Sequence, residues 1–228
     1  MSFDKLRKQS KLGSLTDRLV KEVEKMNSSS GGADERFWKA ELDKTGVGSA
    51  VIRFLPAPDG EDQKIKYENV KNGLVGSMLN VRGVDEVRAF QKLAVENSRL
   101  GIPIIFGFDV IHGYKTVFPI PLAESASWDL DIIEMSAKMS AKEASAAGLN
   151  WTFAPMVDIS RDARWGRVME GAGEDPYLGS LIAAARVKGF QGSDLSSYDT
   201  IASTAKHFAA YGFSESGRDY NTVDIGMN

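Results

Sequence analysis

Four apolar runs alternate with amphipathic segments between residues 73 and 207. The runs predict buried strands at residues 73–80, 102–109, 151–158 and 201–207. The segments between them predict helices at residues 84–99, 129–147 and 178–190, and Gly148 can end the second helix at its C′ position. Continuously apolar strands that alternate with helices are typical of a parallel sheet covered on both faces.

The first 63 residues differ from this pattern. Residues 3–26 predict a helix with a loose apolar stripe surrounded by Lys and Arg, and residues 27–33 form a flexible linker rich in Ser and Gly. A short strand is predicted at residues 50–55, before a Pro-rich stop. The sequence therefore predicts two segments, residues 1–63 and residues 64–228.

Two architectures fit the second segment: a doubly wound sheet and a (β/α)8 barrel. Each predicted strand finishes in polar residues, which are Asn80, Asp109, Asp158, and Lys206 with His207. A barrel gathers all strand C-termini at one mouth, whereas an open sheet gathers only those at its switch point. The strand ends therefore favour the barrel. The segment is shorter than the roughly 250 residues of a whole barrel, so the predicted fold class is α/β, an incomplete (β/α)8 barrel preceded by a basic helical arm, a flexible linker and a short β segment.

The amino-acid composition limits the kinds of functional site that the chain can form. The chain has a net charge of −3, no cysteine and two histidines, His112 and His207. Disulfides, thiolate metal sites and cysteine nucleophiles are excluded, and without paired histidines we expect no metal and no cofactor. The N-terminus has no apolar segment typical of a secretory signal, and no run of about 18 apolar residues predicts a membrane span. These features predict no signal peptide in the chain as written, which would then be cytoplasmic, and they leave the localisation of the protein open.

Charged and aromatic side chains gather at the predicted strand ends, a combination that suits a sugar. Carboxylates accept hydrogen bonds from sugar hydroxyl groups, and the side chains of Lys, Arg and His donate hydrogen bonds to the hydroxyl oxygens. Aromatic side chains cover the apolar face of the sugar ring. The charged candidates are Asp109, Asp158, Arg164, Arg167, Glu170, Lys206, His207, Arg218 and Asp219. Loop capping by Asp109 and a solvated Lys206–His207 pair remain open alternatives, and His112 is predicted to order the loop after the second strand.

Five motifs in one order resemble those of family 3 glycoside hydrolases, of the bacterial periplasmic β-glucosidase type. They are GFDVIHGYKTVFP at residues 107–119, NWTFAPMVD at 150–158, RWGRVME at 164–170, KHFAAYG at 206–212 and GRDYNTVD at 217–224. The resemblance implies a (β/α)8-type barrel that binds a β-glucoside or oligosaccharide. It also implies that Asp109, Arg167, Lys206 and His207 contact sugar hydroxyls. Ala163 departs from the family's usual proline before RWGR.

The same resemblance assigns no catalytic residue here. Retaining glycosidases use two carboxyl groups about 5–5.5 Å apart. The family's nucleophile is an aspartate in a Ser-Asp-Trp motif downstream of the Lys-His strand, and the acid/base glutamate lies later still. No Ser-Asp-Trp occurs in this sequence. We therefore expect a β-glucosidase-like enzyme domain that binds glucosides weakly and turns them over negligibly.

Residues 1–63 resemble a different family, the single-stranded DNA-binding proteins of T-even-type phages. The resemblance lies in LGSLT at residues 12–16, RFWK at 36–39 and GSAVIRFLP at 48–56. It implies weak contact with single-stranded DNA or a phage protein through basic residues 1–26, although the family's zinc-binding Cys and His residues are missing. The alternative function is therefore a DNA-binding or protein-interaction module, and the chain is predicted to be a chimera joined near residues 61–67.

Overall fold

The computed structural model describes residues 60–226, with side chains from residue 64 onward. All of these residues belong to one compact unit of the chain, Ala50–Asn228. The predicted helix at residues 3–26, the linker at 27–33 and the strand at 50–55 lie outside the described residues.

Helices and strands alternate through the described residues. The helices are α1 (Gly60–Lys71), α2 (Val84–Asn97), α3 (Pro121–Ser125), α4 (Leu130–Ala146) and α5 (Pro176–Gln191). The strands are β1 (Ser77–Leu79), β2 (Ile105–Phe108), β3 (Trp151–Thr152) and β4 (Ala202–Ser203). Short 3-10 turns occur at Val168–Glu170, Tyr211–Phe213 and Glu215–Gly217. None of the described helices is long and apolar enough to cross a membrane.

The four strands form one parallel sheet in the order β1-β2-β3-β4. Met78 lies opposite Phe106, Gly107 opposite Trp151, and Thr152 opposite Ser203. Each strand therefore lies beside the preceding one in the chain, with at least one helix in the connection. A doubly wound sheet reverses its strand order at a switch point, whereas a barrel does not. The order observed is that of part of a (β/α) barrel, and the doubly wound alternative does not fit it.

The main core lies between the sheet and its helices. Phe106 on β2 is fully buried, and so are Ala137 and Ala141 on α4 and Phe190 on α5. Helices α4 and α5 approach closely at Gly189, where an added Cβ would lie 2.3 Å from the carbonyl oxygen of Glu134. A glycine is required at this crossing because any side chain would push the two helices apart.

The helices agree with the sequence-based bounds to within two residues, whereas the strands are shorter than predicted. Helix α4 ends with Ala147 as its C-cap and with Gly148 next at φ +89°, as predicted. Strand β3 ends at Thr152 rather than residue 158, because Pro155 has no N–H for a ladder. Beyond Ser203, the Thr204 amide donates to the carbonyl oxygens of Thr152 and Ala154, and an isolated bridge joins Met156 to Lys206. Helices α1 and α3 were not predicted, and α1 runs across the predicted boundary between residues 63 and 64.

Candidate functional site

Asp109 and Lys206 meet at the carboxyl ends of the strands. Asp109 directly follows β2, and Lys206 follows β4, two strands away. The Lys206 Nζ lies 2.9 Å from Asp109 Oδ1. The lysine side chain is only 16% exposed, whereas the aspartate is 51% exposed. The ammonium group is therefore held in place while the carboxylate remains open to a ligand.

His207 pairs with a second acid, Asp158. The His207 Nδ1 lies 2.9 Å from Asp158 Oδ2, and the Asp158 side chain is only 1% exposed. A carboxylate only accepts hydrogen bonds, so Nδ1 carries the donated proton, which leaves Nε2 for a ligand. The other carboxylate oxygen, Asp158 Oδ1, is buried without a hydrogen-bond partner. The imidazole and the Tyr211 ring pack edge to face, with 4.7 Å between their centroids.

Arg167 is bound to Glu170 rather than to the other three predicted residues. Its Nε and Nη2 donate to the two Glu170 oxygens at 2.5 and 2.9 Å. This forked pair raises the pKa of Arg167 and holds the pKa of Glu170 below its usual range. The remaining nitrogen, Nη1, makes only a long 3.5 Å contact with the Tyr211 hydroxyl. Nη1 is therefore the donor most open to a new partner.

A buried tryptophan joins three of the sequence motifs. Trp165 is 1% exposed, and its Nε1 donates to Asp219 Oδ1 at 2.9 Å. The Tyr211 hydroxyl donates to the same oxygen at 2.7 Å. These two hydrogen bonds lower the pKa of Asp219, and burial together with this carboxylate raises the pKa of Tyr211. Asp219 thus connects Trp165 to Tyr211 and fixes the orientation of both rings.

Two other charged candidates are not joined to these pairs by a hydrogen bond or an ion pair. Arg164 pairs with Asp162 and has a side chain 72% exposed, and this pairing lowers the pKa of Asp162 to about 2. Arg218 is exposed as well. The structure therefore brings together Asp109 with Lys206 and His207 with Asp158, places Arg167 with Glu170, and joins neither Arg164 nor Arg218 to these pairs.

The site opens into two neighbouring cavities. One, of about 290 Å³, is lined by Asp109, Ile111, His112, Gly113, Met169 and Glu170. The other, of about 360 Å³, is lined by residues 207–211 together with Ser214, Tyr220, Asn221 and Val223. Both volumes are near the lower end of the range for small-molecule sites, about 300–1,000 Å³. Each could hold one ring of a ligand.

His112 orders the loop after β2, as predicted, and also lines the first cavity. Its Nδ1 lies 3.1 Å from the Phe118 carbonyl oxygen, and its own carbonyl accepts from the Phe118 amide at 2.9 Å. The imidazole therefore closes a turn of this loop. Within residues 60–226, no group of three or more His, Asp or Glu side chains could hold a metal ion.

Residues 41–228 match the family described as "Glycosyl hydrolase family 3 N terminal domain". The chain belongs to glycoside hydrolase family 3. A periplasmic β-glucosidase of Salmonella typhimurium is 45% identical over 168 residues, which are 74% of this chain and 22% of that protein. A lysosomal β-glucosidase of Dictyostelium discoideum is 33% identical and covers 66% of this chain and 20% of its own length.

Solved structures of family 3 relatives share the fold. A β-glucosidase from Listeria innocua in complex with isofagomine is 44% identical, with a TM-score of 0.66 over 76% of this chain and 24% of that chain. The same enzyme in complex with glucose gives 42% identity and a TM-score of 0.67, over 75% of this chain and 25% of that chain. This chain thus spans about a fifth to a quarter of the length of these relatives.

The N-terminal prediction receives no support from these relatives. The family 3 match includes residues 41–63, which the sequence assigned to a separate segment. Neither this match nor the relatives support a resemblance to a phage single-stranded DNA-binding protein, or a chimera.

Proposed function

We propose that this chain supplies the glucosyl-binding part of a β-glucosidase-like family 3 glycoside hydrolase. The observation that carries the proposal is the ion pair between Asp109 and Lys206, in which Asp109 lines a cavity of about 290 Å³. A half-exposed carboxylate next to a covered ammonium group offers an acceptor and a donor to two neighbouring hydroxyls of one sugar ring. Relatives that are 42–44% identical were solved with glucose and with isofagomine.

His207 and Arg167 extend this set of polar groups. The His207 Nε2 is left for a hydroxyl because Asp158 binds Nδ1. The Arg167 guanidinium keeps Nη1 weakly engaged while Glu170 holds its other two nitrogens. In both cases a carboxylate fixes the side chain before the ligand arrives, which reduces the entropy lost on binding.

We propose further that these 228 residues bind glucosides without cleaving them. Glu170 lines the same cavity as Asp109, but a general acid needs a raised pKa and Arg167 lowers that of Glu170. Asp109 is bound to Lys206 and serves as a hydroxyl acceptor. The carboxyl groups that perform the chemistry are then not among the described residues of this site. Hydrolysis of an aryl β-glucoside by the purified chain, abolished in Asp109→Ala, would contradict this.

Calorimetric titration of the chain with isofagomine tests the binding proposal. Hydrogen bonds to charged groups contribute about 1.5–3 kcal/mol. Asp109→Asn and Lys206→Met should therefore raise the Kd roughly 10- to 100-fold. Lys92→Met is the matched control, because Lys92 is an exposed lysine on α2 that pairs with Glu96. Equal affinity in Lys206→Met and Lys92→Met would refute the assignment.

The sugar preference is a separate part of the proposal. Some relatives are named β-xylosidases, at 31–35% identity, against 45% for the periplasmic β-glucosidase. We propose a glucosyl unit because of this difference. Titration with glucose and with xylose decides the question, and tighter binding of xylose would reassign the site.

The alternative function, binding of single-stranded DNA through residues 1–26, stays a prediction. Its basis is the charge of residues 1–25, which carry seven basic and four acidic residues. Binding through phosphate contacts should weaken steeply with salt. Fluorescence anisotropy with a labelled oligonucleotide, comparing the full chain with a deletion of residues 1–26, tests it.

A further inference from the structure

A buried ion pair lies behind the first cavity, between two helices that carry no predicted site residue. The Arg186 Nη1 on α5 donates to Glu124 Oε2 on α3 at 2.5 Å. The Arg186 side chain is 4% exposed and the Glu124 side chain 5% exposed. The Ser136 hydroxyl of α4 donates to the other carboxylate oxygen of Glu124. The pair therefore links three helices within the core.

The second terminal nitrogen of Arg186 binds the backbone of a residue that lines the cavity. Arg186 Nη2 donates to the backbone carbonyl oxygen of Ile111. Ile111 lies two residues after Asp109, and both residues line the cavity of about 290 Å³. We call residues 109–120, which connect β2 to α3, the cavity loop. The guanidinium thus joins the buried carboxylate to the cavity loop at its first turn.

Other bonds hold the cavity loop on either side of Ile111. The Val110 amide donates to the Thr152 hydroxyl on β3 at 3.1 Å, and His112 and Phe118 close the turn. Glu143 of α4 accepts from the amides of Lys115 and Thr116, both at 2.8 Å. Between these anchors, Arg186 is the side chain that binds the backbone of Ile111.

Stability alone does not explain a buried pair of this kind. Removing two charges from water is costly, and a well-packed apolar pair of similar size is often as stable. What an apolar pair cannot do is donate a second, fixed hydrogen bond to a carbonyl group. The planar fork of arginine does this while it remains bound to a carboxylate.

We propose that Arg186, oriented by Glu124, is a positioning residue that fixes Ile111 and with it the ligand-facing wall of the cavity loop. The expected effect of Arg186 on ligand binding rests on the proposed function. The effect on the cavity loop itself is independent of any ligand.

Arg186→Lys is the main test variant. Lysine keeps a positive charge opposite Glu124 but lacks the rigid fork that makes both bonds. The double variant Glu124→Met/Arg186→Met removes both charges and guards against loss of folding from an unpaired buried acid. Ile182→Ala is the control, because Ile182 is a buried residue of α5 in a separate core cluster with Ile133 and Ala185.

Amide hydrogen exchange and isofagomine titration are measured on the full chain of each variant. Loss of one anchoring hydrogen bond should speed exchange at Val110 and Phe118 about tenfold and raise the Kd for isofagomine about tenfold. Exchange within α4 should stay unchanged in Arg186→Lys. Ile182→Ala should lower the melting temperature while the cavity loop and the Kd change less than about twofold.

The outcomes separate the two proposals. Unchanged exchange of the cavity loop in both Arg186 variants overturns the positioning role, whether or not the chain binds isofagomine. Faster exchange with an unchanged Kd overturns its link to the ligand. If the unsubstituted chain does not bind isofagomine, the proposed function fails, while the exchange data still decide the role of Arg186. Faster exchange with a raised Kd in both variants supports the proposal.

Discussion

The contact between α4 and α5 can be tested with a single methyl group. Replacing Gly189 by alanine would place a Cβ 2.3 Å from the Glu134 carbonyl oxygen and 2.6 Å from the Ala137 Cβ. Ordinary van der Waals contact begins near 3.4 Å, so the helices must separate by about 1 Å there. The obstructing atoms belong to the backbone and to a Cβ, and neither can move by a rotamer change.

The expected magnitude follows from two opposing effects. Overpacking a tight core costs about 1–3 kcal/mol, and this site belongs at the upper end of that range. Alanine in a helix gains about 1 kcal/mol over glycine. The net loss is about 2 kcal/mol, or a fall of roughly 4–8 °C in melting temperature for a chain of this size.

Gly179→Ala provides a matched control on the same helix. Its Cβ would meet only Ile159 Cδ1 at 3.7 Å and Ala172 Cβ at 3.9 Å, which is ordinary contact. This variant should therefore melt about 2–4 °C higher than the unsubstituted chain. Thermal unfolding followed by circular dichroism at 222 nm, as is usual for helices, gives both values. A Gly189→Ala chain as stable as Gly179→Ala would refute the close approach of the helices.

Three further predictions concern single contacts. Arg167 lowers the pKa of Glu170, so the contribution of the Glu170 carboxylate to folding stability is present above pH 4.5 and is lost as the pH falls through the lowered pKa. The difference in melting temperature between the unsubstituted chain and Glu170→Gln should therefore shrink below pH 4.5. Trp165→Phe removes the donor to Asp219 and should cost about 1–2 kcal/mol in urea unfolding; no loss would contradict the bond. Asp129→Ala removes the N-cap of α4 and should cost about 1 kcal/mol by the same measurement.

Of the five described helices, α2, α4 and α5 could be predicted because their signals are local. The apolar periodicity of residues 84–99 predicted α2, and the glycine after α4 predicted the end of that helix. The observed bounds of both helices lie within two residues of the predicted ones. The start of α5 was placed late, although Asp175 caps it and Pro176 stands in its first turn, where a missing N–H costs nothing. These are properties of neighbouring residues, and sequence reasoning can use them.

The strands and the buried ion pair show where local reasoning stops. Residues 153–158 are an apolar run like β2, yet they pair irregularly, because an apolar pattern reports burial and not the hydrogen bonds of a ladder. Arg186 and Glu124 are 62 positions apart, and nothing in either neighbourhood distinguishes them from surface residues. Asp109 and Lys206 were predicted to lie close together because both follow strands, and the parallel strand order explains why they do.

The charges of the site favour an uncharged ligand over an anionic one. Lys206 is paired with Asp109 and Arg167 with Glu170, so both of these cations already have a carboxylate partner, and the His207 imidazole is bound to Asp158. An added phosphate or carboxylate would lie beside one of these acids and be repelled by it, because like charges at short range repel each other. A sugar hydroxyl can instead accept from the cation and donate to the acid, so that both charges stay satisfied. This pairing is the physical reason to prefer a neutral glucoside to a phosphorylated sugar.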